Sequence, residues 1–327
     1  MMLLSVIIPV YNVERYIEKC ILSVLQNGLR EDFYEIVIVD DESPDNSMAI
    51  VSRFVQAHKN IRVISQENRG LGGARNTGIR NATGKYLLFL DADDWYLPDT
   101  IAKLIQIAES EPLEILEFGA QGIFTNNEIM YTKSIDSEIM NGVDYYQKYR
   151  YLDSACNKLY SRDFLTAHQL FFLEKLYIED YEFNTRALFR AKKIKATSLV
   201  AAQFLQSADS ITRNAEHGKH LKMQEDIILV IKNIDAFYKH EVKNGTPKQA
   251  SAYFEQKLAY LTVTLFFQLV KRNFTYKDIA LLKKRLQKEH IFFADHPIFD
   301  EKKEWFRIVF LKHFFLLRLF KGLFRYI

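Results

Sequence analysis

Four short apolar runs recur within residues 1–95: LSVIIPV (4–10), EIVIVDD (35–41), IRVISQ (61–66) and KYLLFLD (85–91). Segments of helical periodicity separate them; in the first, Ile17, Ile21, Val24 and Leu25 fall on one face. Runs without a polar face are covered on both sides, so this alternation predicts a mostly parallel sheet with helices on both faces. Asp45 and Asn46 are placed to cap the second helix, and Pro98 suits the first turn of a helix over PDTIAKLIQIAES.

Beyond residue 113 the alternation loosens. EILEFGAQGIF, ACNKLYS and KIKATSLVAAQFL (193–205) read as further strands. From His217 the pattern turns helical, over 218–240, 247–272, 275–289 and a last segment 301–327. Asn244, Gly245 and Pro247 mark one break, and Asp295, His296 and Pro297 another. The chain is thus expected to form an α/β domain, 1–215, followed by a helical C-terminal region, 216–327.

The net charge of +3 conceals an asymmetry. Residues 1–215 carry 23 Lys+Arg against 29 Asp+Glu, whereas residues 216–327 carry 21 against 12. The two cysteines, Cys20 and Cys156, have no metal-like spacing, which argues against a disulfide scaffold or zinc site and fits a reducing compartment. The N-terminal apolar run lacks a cationic leader and contains Pro9, so it reads as a strand and not a signal peptide.

Ligands of open parallel sheets bind beyond the carboxyl ends of the strands. Here those ends carry Tyr11 and Asn12, Asp40 and Asp41, and Asp91, Asp93 and Asp94, while the loop ENRGLGGARNTG adds Asn68, Arg69 and Arg75. An aromatic ring, carboxylates and arginines on one edge suit a nucleoside diphosphate. Crowded carboxylates raise one another's pKa unless a cation neutralises them; the bland alternative is a helix cap. The glycines form no dinucleotide loop, because G-x-G-x-x-G would need glycine where Arg75 stands, and no P-loop sequence occurs. A divalent cation, Mn²⁺ or Mg²⁺, held by Asp93 remains as the way to neutralise a diphosphate.

VIIPVYN, VDDES, ENRGLGGARNTGI and GKYLLFLDADDW resemble, in order and spacing, the successive motifs of family-2 inverting glycosyltransferases with the GT-A fold. NKLYSRDFL (157–165), YIEDYEF (177–183) and SADSITRN (207–214) resemble further stretches of that family. The resemblance implies transfer of a sugar from a UDP-sugar to an acceptor hydroxyl with inversion. It places Pro9 and Tyr11 at the uracil, Asp41 at the base edge, and Asn68, Arg75, Asp91 and Ala92 along the nucleotide. Asp91 would face ribose or metal, Asp93 would bind the metal directly, and Asp180 would be the general base beside Glu179. The implied setting is bacterial surface polysaccharide synthesis on a lipid-linked or saccharide acceptor, in the cytoplasm or on the inner membrane face. The run LVAAQFLQSADSIT departs from the Tyr/Arg-rich strand of many relatives, which leaves acceptor or phosphate contacts from that strand unassigned.

Other classes fit less well. A nucleotidyltransferase needs a glycine- and lysine-rich loop after the first strand, and PVYNVERYI has none. A non-catalytic nucleotide-sugar-binding protein would not require Asp180 beside an intact D-x-D pair. No nucleic-acid partner is expected, since the basic excess lies in the helical tail and not on a sheet. The segment EWFRIVFLKHFFLLRLFKGLFRYI (304–327) is too interrupted by charge to span a bilayer. On a helical wheel Arg307, Arg318, Lys321 and Arg325 oppose Trp305, Val309, Leu316, Phe320, Leu323 and Ile327. Such a helix either lies on an anionic membrane surface or packs against protein.

Overall fold

The structure is a computed structural model that describes residues 2–149, 152–207, 217–245 and 248–320. The chain divides into two compact units, Met1–Glu216 and His217–Ile327. Most of the SADSITRN stretch and residues 321–327 lie outside the described residues.

The first unit contains strands β1 (Leu4–Val10), β2 (Tyr34–Asp40), β3 (Ile61–Ser65), β4 (Tyr86–Phe89), β5 (Trp95–Tyr96), β6 (Ile115–Ile123), β7 (Ile129–Lys133), β8 (Lys158–Ser161) and β9 (Ile194–Leu205). Its helices are α1 (Ile17–Leu25), α2 (Ser47–Ala57), α3 (Gly70–Asn81), α4 (Ile101–Ser110), α5 (Gly142–Lys148), α6 (Arg162–Ala167) and α7 (Glu179–Arg190). The strands form one sheet in the order β3-β2-β1-β4-β8-β6-β9-β5, with β7 paired to β6. Pairing is parallel across β3-β2-β1-β4 and between β6 and β9, and antiparallel at β4–β8, β6–β8, β5–β9 and β6–β7. The sheet is therefore mixed: the parallel half follows the alternating first hundred residues, and antiparallel pairing enters where the alternation loosens.

Every residue of β1 is buried, with β2 and β4 as its neighbours. Burying a Val, Leu or Ile side chain contributes roughly 1.5–3 kcal/mol, so this central strand anchors the core. Helix α3 lies close on it. A Cβ at Gly78 would sit 2.3 Å from Ile7 Cγ2, and one at Gly72 would sit 2.3 Å from the Leu173 carbonyl oxygen. These glycines permit close packing of a helix against its surroundings. Pro98 precedes the first turn of α4 instead of entering it, because Asp99 takes a left-handed φ of 56° before the helix begins at Ile101.

In the second unit, α8 (His217–Lys243), α9 (Lys248–Lys271) and α10 (Tyr276–Lys288) are followed by α11 (Glu301–Phe306), a π-helical turn (Arg307–Leu311) and α12 (Leu316–Phe320). Both α8 and α11 pack on α9. Tyr253, Phe254, Leu258, Leu261, Leu265 and Phe266 are buried at successive angles around α9, which marks it as the central helix of its unit. A capping box closes the start of α10, with Thr275 and Asp278 each accepting from the other's backbone N–H.

The terminal segment differs from the expected continuous amphipathic helix. Arg307, assigned to a basic outer face, is buried: Glu304 pairs with it at 2.6 Å and the Ala294 and Asp295 carbonyls accept from its Nη1. Trp305, assigned to the apolar side, is exposed, while Phe306, Phe310, Leu311 and Leu317 are buried. A wheel equates charge with exposure, whereas here one carboxylate and two carbonyls satisfy the guanidinium inside. The π turn also shifts the register of the faces.

Gly78→Val is expected to lower the unfolding free energy by about 2 kcal/mol through overpacking against Ile7. Urea titration should show a lower midpoint at an unchanged slope.

Candidate functional site

The loops after β1 and β2 are tied to each other by polar contacts. The backbone N–H groups of Asn12, Val13 and Glu14 donate to Ser43 Oγ, Ser47 Oγ and Asp45 Oδ2. In return the Asn46 backbone and side-chain amides donate to Glu14 Oε2. Burial alone would raise Asp45, but hydrogen bonds from Ser47, Glu14 and Ser43 prevail and lower it to about 2. Glu14 thus braces the rim. Tyr11, at the end of β1, presents its ring 51% exposed.

Asp41 is buried behind this rim. Its Oδ1 accepts from Gln66 Nε2 at 2.6 Å and from the Arg69 backbone N–H at 2.8 Å, while Oδ2 takes no partner among the described residues. Gln66 has no counterpart in the sequence reading; its place directly after β3, beside β2, was the available signal. Asn68 accepts from the Gly70 N–H through Oδ1 and so closes the start of α3. Arg69 forms a two-pronged pair with Glu174 at 2.8 and 2.5 Å.

The three carboxylates after β4 take three different roles. Asp94 is turned inward, and its Oδ1 accepts the Leu205 N–H at 2.8 Å, which fixes the end of β9. Burial, then Asp93 and Asp91, push its pKa well upward. Asp91 is partly exposed and its Oδ1 accepts from Arg75 Nη2 at 2.7 Å. Asp93 takes no hydrogen bond from another of the described residues, and burial followed by the neighbouring Asp91 raises it to about 6. The run is thus one structural pin and two carboxylates left at the rim.

Three residues expected at the nucleotide have little or no surface exposed to solvent. Pro9 lies inside β1 opposite Val39, and Ala92 is packed beneath the strand tip. Arg75 is 0% exposed, because every polar arm but Nε already has a protein partner. Its Nη1 donates to Glu179 Oε1 at 2.8 Å and Asp180 Oδ1 at 2.5 Å, and its Nη2 to Asp91 and to Cys156 Sγ at 3.6 Å. Asp180, in the first turn of α7, also accepts the Ala155 N–H through Oδ2 at 3.0 Å. Its side chain is 23% exposed against 5% for Glu179. Burial, then Asp180, raises Glu179 to about 8; burial also raises Asp180, opposed by Arg75.

The loop that presents Ala155 and Cys156 is held from below by a buried lysine. Lys158 Nζ donates to the Leu152 and Ser154 carbonyls at 2.6 and 2.8 Å and to Asn157 Oδ1 at 2.9 Å, with Glu117 at 3.5 Å. Asn157 and Lys158 lie in the stretch NKLYSRDFL that resembles the family, but nothing in the sequence located their partners.

Among the described residues no group of three or more His, Cys, Asp and Glu side chains is arranged to hold a metal ion. The donor set still fits a magnesium-like cation, which takes one or two carboxylates and completes its shell with substrate phosphates and water. Asp93 is the unpartnered carboxylate, and a cation there would relieve the repulsion that raises its pKa.

Residues 5–176 match the sequence model of the family described as Glycosyl transferase family 2. The chain is 34% identical over 203 residues to the putative glycosyltransferase EpsH of Bacillus subtilis, covering 58% of this chain and 57% of that one. It is 30% identical over 258 residues to the uncharacterized glycosyltransferase EpsJ of the same organism, covering 76% of this chain and 73% of the relative. The crystal structure of Staphylococcus aureus TarS 1-349 in complex with UDP-GlcNAc superposes with a TM-score of 0.63 at 19% identity, covering 90% of each chain. That likeness establishes the GT-A fold.

Lys158→Met is expected to cost about 3 kcal/mol, since it strands Glu117 and unties residues 152–157. Denaturant unfolding at neutral pH measures it.

Proposed function

The chain belongs to glycosyltransferase family 2, and from that membership we propose that it transfers a sugar from a UDP-sugar donor to an acceptor hydroxyl with inversion. The observation that carries this reading is Asp180: a carboxylate held through both oxygens, partly open to solvent, on the same guanidinium as the strand-tip carboxylate Asp91. In a single displacement the acceptor oxygen bonds to the anomeric carbon as the bond to the UDP oxygen breaks on the opposite face, and Asp180 takes the acceptor proton. A raised pKa makes a carboxylate a stronger base. Glu179, almost wholly buried and raised to about 8, keeps its proton near neutrality and does not compete for this role.

Tyr11 offers a ring face to the base, and Asp41 Oδ2 is an acceptor for a uracil imide. The UDP-GlcNAc held by TarS supports a uridine donor. Mn²⁺ or Mg²⁺ at Asp93, with Asp91 beside it, would neutralise the diphosphate and so aid its departure.

The setting we propose is bacterial surface polysaccharide synthesis on a lipid-linked or saccharide acceptor at the inner face of the membrane, which the bacterial sources of the relatives support. Among the described residues no helix is long and apolar enough to cross a membrane. The terminal segment nevertheless exposes Trp305, Ile308, Phe315 and Leu319. Lys302, Lys312 and Arg318 are exposed in the same segment and make no ion pair among the described residues. Exposed apolar side chains interspersed with exposed cations suit the headgroup region of an anionic bilayer.

Calorimetric titration should show UDP binding that strengthens with Mn²⁺ and exceeds GDP binding. Asp93→Asn should remove the Mn²⁺ dependence, and Asp180→Asn should slow transfer about a thousandfold at unchanged UDP affinity. An Asp180→Asn enzyme as fast as wild type would defeat the assignment of the base. In co-sedimentation, the intact chain should follow vesicles containing phosphatidylglycerol but not phosphatidylcholine alone, and Trp305→Ser/Phe315→Ser should stay in solution. Equal sedimentation of that double variant would remove the membrane reading.

A further inference from the structure

We infer that Arg75 is a positioning residue that sets the distance and orientation between the donor-binding carboxylate Asp91 and the base Asp180. This inference rests on the reading of Asp180 given above and adds a residue expected to do something else. Arg75 has no surface exposed to solvent. Its guanidinium instead lies between two parts of the chain that the sheet does not connect directly. Asp91 follows β4, and Asp180 stands 89 positions later in the first turn of α7. One planar group bonds both, Nη2 to Asp91 at 2.7 Å and Nη1 to Asp180 at 2.5 Å.

The surroundings hold that plane in place. Phe172 lies under the guanidinium, 5.2 Å from its carbon. Phe172 is itself stacked on Phe183 of α7, with centroids 3.9 Å apart and planes within 11°. The Cys156 sulfur receives from Nη2, and the Ala155 N–H holds the second oxygen of Asp180. Four separate segments, α3, the β4 tip, residues 155–156 and α7, therefore meet at one side chain. The facing charges are Asp91, Glu179 and Asp180, with Asp93 and Asp94 beyond them, so a cation is needed here in any case. A lysine would supply the charge. It would not supply the rigid fork, because an ammonium is a point donor on a flexible stem.

The chemical consequence concerns alignment. The donor is seated against Asp91 while the acceptor oxygen approaches along the line that Asp180 defines. The bond from that oxygen to the anomeric carbon forms as the bond to UDP breaks, and the proton passes to Asp180. A misplacement of about 1 Å in such an arrangement costs on the order of a hundredfold in rate. Affinity for UDP, which Tyr11, Asp41 and Asp93 chiefly supply, should hardly change in Arg75→Lys, which keeps a cation beside Asp91.

The test uses Arg75→Lys in the full chain, with Arg75→Gln as a second replacement should the lysine prove unfoldable. UDP-binding sites are counted by calorimetric stoichiometry with Mn²⁺. Turnover is UDP release with water as acceptor, from whichever of UDP-glucose, UDP-galactose or UDP-GlcNAc the wild type consumes fastest. The expected result is kcat per UDP-binding site lowered about a hundredfold, with KM and UDP affinity within about threefold of wild type. Counting sites removes the explanation that part of the sample is merely unfolded. Wild-type turnover per site in Arg75→Lys would overturn the inference, as would UDP affinity falling in step with turnover. Loss of UDP sites in both variants would make Arg75 a determinant of folding and overturn it too. Absence of UDP binding by the wild type would fault the donor assignment itself, a result distinct from all of these.

Discussion

The first unit is organised around one buried cation. Arg75 is surrounded by Asp91, Glu179 and Asp180, and burying any of these charges alone would cost several kcal/mol. They are tolerable only together. Glu179, raised to about 8 by burial and by Asp180, keeps its proton near neutrality, which lessens the negative charge that the guanidinium faces. The residual negative charge lies toward Asp93 at the rim, where a divalent cation would complete the balance. The site is thus assembled by the same electrostatic constraint that holds α3, α7 and the β4 tip in register.

Much of the fold was legible because the parallel strands are buried on both faces and leave continuous apolar runs. Strand β9 and the three long helices of the second unit stand within a few residues of where periodicity put them. Of the strands that pair antiparallel, β6 and β8 were legible as apolar runs, whereas β5 and β7 were not. Strand β5 has two residues, and β7 is an exposed edge strand whose pattern carries no burial signal. Of the site, the strand-tip carboxylates could be read from their position after apolar strands. The division of labour among Asp91, Asp93 and Asp94 could not, since it depends on Leu205, more than a hundred residues away, presenting an unpaired N–H. The burial of Arg75 was hidden for the same reason: charge on a helix reads as solvent-facing unless the three acidic partners are known to surround it.

The second unit repeats that lesson on a smaller scale. Arg307 is satisfied by Glu304 and two carbonyls, so a residue that a wheel assigns to water belongs to the interior. To solvent the segment shows Trp305, Ile308, Phe315 and Leu319 between exposed Lys302, Lys312 and Arg318. Large apolar side chains exposed in one segment beside a buried arginine are the informative departure.

The approach of Gly72 to the Leu173 carbonyl has a consequence for how such a chain can vary. A methyl group at position 72 must push back a backbone segment whose neighbours are Phe172, stacked on α7, and Glu174, clamped to Arg69. Displacing it would tilt the platform beneath Arg75 without touching any reacting group. Mutational drift at this position is therefore confined to a single amino acid by geometry. A hydrogen atom at the start of α3 is what lets two distant stretches of sequence share one active surface.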